Sequence, residues 1–239
     1  GFFGCYTRRG NARLKVNEMP TPQVKLKAMA SRPTLILLPG LLCDTALWRH
    51  QVENLADLAE IAVADLTQDN SVEAMARRVL AGAPKRFALA GLSMGGYLAQ
   101  VIMRRWPDRV ERLALLDTSA RADTEEQTAR RRGLIELARK GQFKGVSPRL
   151  LPSFLHPARL ADTALTEAVM AMAERVGRDA FLRQEEAIMG RIDGREAPRA
   201  IRRPTLILCG AEDALTPPKV HTEMAERVPH AKLVVELKY

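Results

Sequence analysis

Apolar residues along the 239-residue chain gather into short unbroken runs, and the stretches between them carry apolar positions at helical spacing. Two runs are nearly identical, "RPTLIL" at Arg32 to Leu37 and again at Arg203 to Leu208. Each is rich in leucine and β-branched residues with proline near its start, the composition of a strand buried on both faces of a parallel sheet. Further runs of this kind are "EIAVADL" (Glu60 to Leu66), "RFALAG" (Arg86 to Gly91), "ERLALLD" (Glu111 to Asp117) and "AKLVVE" (Ala231 to Glu236). Helical patterns over Thr45 to Leu58, Val72 to Ala81, Gly95 to Trp106 and Pro218 to Val228 alternate with them. Strand and helix in alternation predict an α/β fold, a doubly wound, mostly parallel sheet with right-handed crossovers.

One span breaks the alternation. From about Ala120 to Ala200 no strand pattern occurs, and three helices are predicted. The first runs from Thr124 to Lys140, with a Thr124/Gln127 capping box and a stop at Gly141. The second covers about Asp162 to Arg175 and the third about Asp179 to Met189. An all-helical insertion between sheet strands reads as a cap over the strands' carboxyl ends, where ligands bind in open α/β sheets. The predicted organisation is a basic arm over residues 1–30 outside the fold, a core made of 31–119 and 201–239, and a helical cap over 120–200.

Composition narrows the picture. The net charge of +9 suggests a nucleic-acid partner, but the first 30 residues carry +5 of it and the remaining 209 only +4. That is an ordinary solvated surface with a basic arm, and Arg130-Arg131-Arg132 reads as a wet helix face with no nucleic-acid motif beside it. No apolar run approaches the ~20 residues a membrane helix needs. The start of the chain lacks the apolar core of a secretory signal and reads as an appended arm, with Met29 as a natural start. Cys5, Cys43 and Cys209 are odd in number and have no metal-ligand spacing, so free thiols, a cytoplasmic location and no metal are expected.

The chemistry lies at the sheet's carboxyl edge. In "RFALAGLSMGGYLAQVIM" a serine, Ser93, stands between Gly91 and Gly95, after a strand pattern and before a helix pattern. A tight strand-to-helix turn there projects the hydroxyl above the sheet. Acyl transfer also needs donors for a developing oxyanion. The loop in "LILLPGLLCD" offers the Leu41 amide, and the head of the following helix offers that of Met94. A carboxylate to hold a base comes from "LILCGAEDALTPP": Asp213 is preferred over Asp117, a second carboxylate on the same edge. Leu42, Phe154 and His156 are candidates for substrate contact. Leu150, Leu151, Met170, Met172 and Met189 belong to the cap's apolar stripes, as lining or as core.

Leu38-Pro39-Gly40-Leu41-Leu42, Gly91-Leu92-Ser93-Met94-Gly95-Gly96 and Gly210-Ala211-Glu212-Asp213 with Pro217 resemble the oxyanion loop, nucleophile elbow and acid loop of the α/β-hydrolase superfamily, over about Arg32 to Glu236. The chain is similar to its small capped esterases, enol-lactonases and C–C bond hydrolases; serine at position 93 counts against a haloalkane dehalogenase. The resemblance implies a triad histidine in a Gly-His turn after the last strand. After "AKLVVE" only Leu237, Lys238 and Tyr239 follow, so a chain truncated before its histidine is expected, with an open terminal strand that favours self-association. Four histidines exist elsewhere. His230 precedes the last strand and so lies about 20 Å from the carboxyl edge at ~3.3 Å per residue. His50 and His221 fall within helices, and His156 in the cap is the one that could overhang Ser93.

The reading is a serine hydrolase for small to medium carboxylic esters or lactones, working through an acyl-enzyme on Ser93 without cofactor, and with no nucleic-acid or membrane partner. Alternatives are C–C hydrolysis or cofactor-free perhydrolysis on the same fold, a hydrolase-like binding or signalling protein without turnover, and a nucleic-acid-associated protein using the arm.

Overall fold

The computed structural model describes residues 32–196 and 201–237; the basic arm lies outside the described residues. Six strands form one sheet: β1 (Thr34–Leu38), β2 (Glu60–Val63), β3 (Phe87–Leu92), β4 (Val110–Leu116), β5 (Thr205–Gly210) and β6 (Lys232–Glu236). Their order is β2-β1-β3-β4-β5-β6 and every neighbouring pair is parallel. The strand order reverses at β1 and β3, so the loops leaving those two strands flank one crevice, where open α/β sheets bind ligands.

The central strands are apolar on both faces because helices cover both. Phe87, Leu89, Leu115 and Ile207 are fully buried together with Met75 of α2 (Val72–Gly82), Leu98 and Ile102 of α3 (Met94–Arg105) and Met224 of α6 (Pro218–Arg227). Leu37, Trp48 and Ala90 centre a second cluster. Asp44 caps a 3-10 turn over Thr45–Trp48, and α1 (Arg49–Leu55) follows, so the single helix expected over Thr45 to Leu58 is two shorter pieces.

Between β4 and β5 the described residues contain helices and no strand. In α4 (Glu125–Leu137) the capping box is complete: Gln127 N–H donates to Thr124 Oγ1 at 3.2 Å and Thr124 N–H to Gln127 Oε1 at 2.9 Å. The longest helical element, α5 (Thr163–Met189), is broken at Gly177, whose φ of 77° only glycine adopts easily. The break falls between the two helices that the spacing predicts. A third apolar cluster joins these helices through Ala138, Val146, Leu151, Ala173 and Phe181, and Leu42 of the loop after β1 is part of it.

The Arg130-Arg131-Arg132 run is not wholly a wet face. Arg131 turns inward, pairing with Asp123 at 2.8 Å and Glu185 at 2.7 Å, while Arg191 holds the other oxygen of Asp123 at 2.8 Å and lies 4.1 Å from the centroid of the Tyr97 ring. Asp123 and Glu185 are buried carboxylates, and a buried charge has to be compensated. Among the described residues no helix is long and apolar enough to cross a membrane.

Candidate active site

Ser93 follows β3 and stands at the N-cap of α3 with φ 53° and ψ −113°. A non-glycine residue in such a region costs on the order of 1–3 kcal/mol and persists only when its surroundings fix it. They do so here. Ser93 N–H donates to Leu116 O at 3.0 Å, and Ser93 O accepts from Thr118 Oγ1 at 2.8 Å and from the amides of Gly96 and Tyr97. The three neighbouring glycines supply room, whereas the serine itself carries the positive φ. A Cβ on Gly91 would run into the Gly95 carbonyl, one on Gly95 into the Leu38 carbonyl, and one on Gly96 into the Thr118 side chain. The turn is thus packed backbone to backbone against β1 and β4.

The loop after β1 comes up beside it. A Cβ on Gly40 would lie 3.6 Å from Ser93 Cβ. Beyond Gly40, the Cys43 amide is bonded to Gly40 O at 3.2 Å and the Leu42 amide to Gln184 Oε1 at 3.0 Å. Among the described residues Leu41 N–H has no protein acceptor. Met94, as the first residue of α3, has no carbonyl of its own helix for its amide. Two backbone amides close to Ser93 in the chain or across the β1 loop, those of Leu41 and Met94, are thus without a protein acceptor among the described residues. Leu42 itself is buried in the apolar cluster of the helical segment, and Phe154 is exposed.

The carboxylates weighed as alternatives occur together. Asp213, in the loop after β5, accepts from Leu215 N–H (2.8 Å), Thr216 N–H (2.9 Å) and Thr216 Oγ1 (2.6 Å). Asp117 follows β4 with φ 40°, accepts from Gly210 N–H at 3.2 Å and is hydrogen-bonded to Asp213. Burial pushes its carboxyl up to about 6; the Gly210 hydrogen bond opposes this and the charge of Asp213 adds to it. Burial, with Asp117 and Asp213 nearby, also pushes the Cys209 thiol up to about 11.

The histidines are disposed as follows. His221 is fully buried in α6; its Nε2 accepts from Thr118 N–H at 3.0 Å and its Nδ1 lies 3.4 Å from Pro217 O. Burial holds its pKa below the ordinary imidazole value. It therefore braces the residue that braces Ser93. His156 accepts from Ala158 N–H at 3.1 Å through Nδ1, and its Nε2 lies 3.1 Å from Glu212 Oε2. His50 is exposed on α1, and His230 is exposed at the amino-terminal end of β6. Among the described residues no cluster of three or more His, Cys, Asp or Glu could hold a metal ion.

Thr118 and Gln184 escaped the sequence reading, and His221, which it placed only within a helix, has an unforeseen contact to Thr118. Only Gln184 carries a local signal, as a polar residue on the helix stripe formed by Ala180, Phe181 and Ile188.

A parallel sheet with a strained serine at a strand-to-helix turn, amides beside it and carboxylates on the next strand ends defines the architecture of the α/β hydrolases. The alpha/beta hydrolase fold family matches residues 64–239, and the chain belongs to that family. It is 26% identical over 232 residues to a pimeloyl-[acyl-carrier protein] methyl ester esterase of Vibrio parahaemolyticus, covering 85% of each chain. Against the protein of the same name from Aliivibrio fischeri it is 28% identical over 231 residues, 84% of each. Among solved structures, the enol-lactonase of Burkholderia xenovorans LB400 superposes with TM-score 0.79 at 22% identity, over 88% of this chain and 85% of that one. A thermophilic esterase of Thermogutta terrifontis gives 0.76 at 27%, over 86% and 81%.

Proposed function

We propose that the protein is a serine hydrolase of carboxylic esters or lactones. The observation that carries the reading is Ser93, held at φ 53° beside the backbone of Gly40 and at the head of α3. Strain of this size at a polar residue, stabilised from three sides, fits a hydroxyl presented for reaction. The ester-hydrolase names of the relatives and of the Thermogutta structure support the same class.

In the proposed reaction Ser93 Oγ adds to the acyl carbon, its proton passes to a base, and the carbonyl electron pair moves onto oxygen to give a tetrahedral oxyanion. The Leu41 and Met94 amides donate to that oxygen, being fixed by the fold before the charge develops. Collapse expels the alcohol, which takes up the proton, and leaves an acyl-Ser93 ester. Water then adds to this ester and releases the acid. Asp213, held by three donors, orients the base. Neither His221 nor His156 is assigned that part, since each already has partners at both ring nitrogens. This favours a second reading, a hydrolase-like binding protein without turnover.

A fluorophosphonate probe separates the two. Labelling of Ser93, located by peptide mass spectrometry and lost in Ser93→Ala together with hydrolysis of short p-nitrophenyl esters, is the expected result. Ester hydrolysis that survives Ser93→Ala would refute the site, and an unlabelled, inert wild-type protein would favour the binding reading.

A further inference from the structure

Gln184 is the one polar side chain by which the described helical segment between β4 and β5 grips the loop after β1 from a fully buried position. Its Oε1 accepts from Leu42 N–H at 3.0 Å and its Nε2 donates to Leu66 O at 3.1 Å, in the loop after β2. A main-chain amide can only donate and a carbonyl can only accept, so these partners determine which way the side-chain amide faces. The bridge therefore ties α5 to two loops at the carboxyl edge of the sheet. Leu42 is also bent into a left-handed conformation, φ 59°, which a leucine does not adopt without support.

We infer that Gln184 is a positioning residue for the oxyanion loop. The inference rests on the serine-hydrolase reading and extends it to the helical segment. With the Leu42 amide turned to Gln184 and the Cys43 amide closed onto Gly40, Leu41 is the loop amide left to face an acyl oxygen beside Ser93. Remove the side-chain amide, and a buried N–H and a buried C=O both lose their partners. The loop then relieves that cost by turning, and the Leu41 donor moves with it. A contact made mainly to the developing oxyanion affects the transition state and leaves ground-state binding alone, so kcat falls while KM stays.

The test uses Gln184→Met, close in shape but unable to make either bond, beside Gln184→Glu, which still accepts from Leu42, and Phe181→Leu, which loosens the apolar packing nearby and leaves the bridge intact. For p-nitrophenyl butyrate, Gln184→Met is expected to lower kcat by about 10- to 100-fold with KM within a factor of about three, below the ~10²–10³ that follows loss of an oxyanion donor itself. Gln184→Glu should retain more of kcat than Gln184→Met, and Phe181→Leu should barely change it. Amide hydrogen exchange at Leu42 should quicken at least about tenfold in Gln184→Met, the sign of a lost hydrogen bond. Unchanged exchange at Leu42 would overturn the clamp whatever the activity. An equal loss of kcat in Phe181→Leu, or a loss expressed in KM, would overturn the positioning role. A wild-type protein without Ser93-dependent turnover would instead strike at the serine-hydrolase reading, and the positioning role with it, while the exchange result would still report the clamp.

Discussion

The carboxyl groups of Asp117 and Asp213, delivered by the ends of the neighbouring strands β4 and β5, are hydrogen-bonded to each other. Two carboxylates in that relation cannot both be charged without repulsion. Burial favours the neutral form of Asp117, so its carboxyl is the one suited to hold a proton. Cys209, the buried His221 and Tyr97 are the other titratable groups that interact with the pair among the described residues.

This gives stability a pH dependence whose sign follows from the shift. The Asp117 carboxyl rises from 3.8 to about 6 on folding, so the folded state binds the proton more tightly than the unfolded chain does. Its contribution is full below about pH 4 and is lost as pH rises through about 6. Asn at this site keeps a donor towards Asp213, tolerates φ 40° and has no proton to lose. Asp117→Asn is therefore expected to melt higher than wild type at pH 8, by a few degrees, and to show little advantage at pH 4.5. The full shift corresponds to ~3 kcal/mol at most, less with solvent screening. Thermal melts of both proteins across that range decide it; a difference that does not change with pH would refute the shared proton.

A second prediction separates two kinds of glycine. A Cβ on Gly95 has nowhere to go, because the Leu38 carbonyl occupies its place, whereas one on Gly133 in α4 meets nothing within 4 Å. Gly95→Ala must push α3 off β1, and over-packing of this kind costs roughly 1–3 kcal/mol or more. Gly133→Ala is expected to gain about 0.5–1 kcal/mol through helix propensity alone. Urea denaturation of the two variants should give shifts of opposite sign, and matching shifts would contradict the packing described for the serine turn.

The same contrast shows what the sequence could and could not disclose. The strands are legible because a strand buried on both faces must be apolar throughout, and the serine turn is legible because Gly91, Ser93 and Gly95 act within one local stretch. Helix breaks at Gly141 and Gly177 are equally local, with φ of 79° and 77°. What depends on strand order is hidden. Asp117 and Asp213 can each be assigned to the carboxyl edge from sequence, but their contact exists only because β4 and β5 are neighbours. Likewise His221 looks like any helical histidine until α6 packs its ring against Thr118 N–H, and Arg131 looks like one of three exposed arginines until Asp123 and Glu185 close around it. Gln184 offered a hint, a polar residue in an apolar stripe, but its partners Leu42 and Leu66 lie far away along the chain.

The last prediction concerns the proton that Ser93 must lose. A serine hydroxyl is a poor nucleophile until a base within hydrogen-bond reach accepts its proton. In this structure His221 is spent on Thr118 and His156 on Ala158 and Glu212, while His50 and His230 are exposed on α1 and before β6. The donors and the acid are nevertheless assembled around Ser93 under the proposed mechanism, so a small base from solution should be able to complete it. Added imidazole is expected to raise the rate of p-nitrophenyl acetate hydrolysis in a saturable way, beyond the reaction that imidazole itself undergoes with the ester. The increment should follow the neutral form, increasing with pH through the imidazole pKa. It should vanish in Ser93→Ala and shrink in Asp213→Asn, which no longer orients the bound base by its charge. A wild-type rate that is already high and indifferent to imidazole would mean that one of the four histidines serves Ser93 after a rearrangement, and His156→Ala would be the next variant to assay. An increment of equal size in Ser93→Ala would place the reaction outside the site and overturn the assignment of Ser93 as nucleophile.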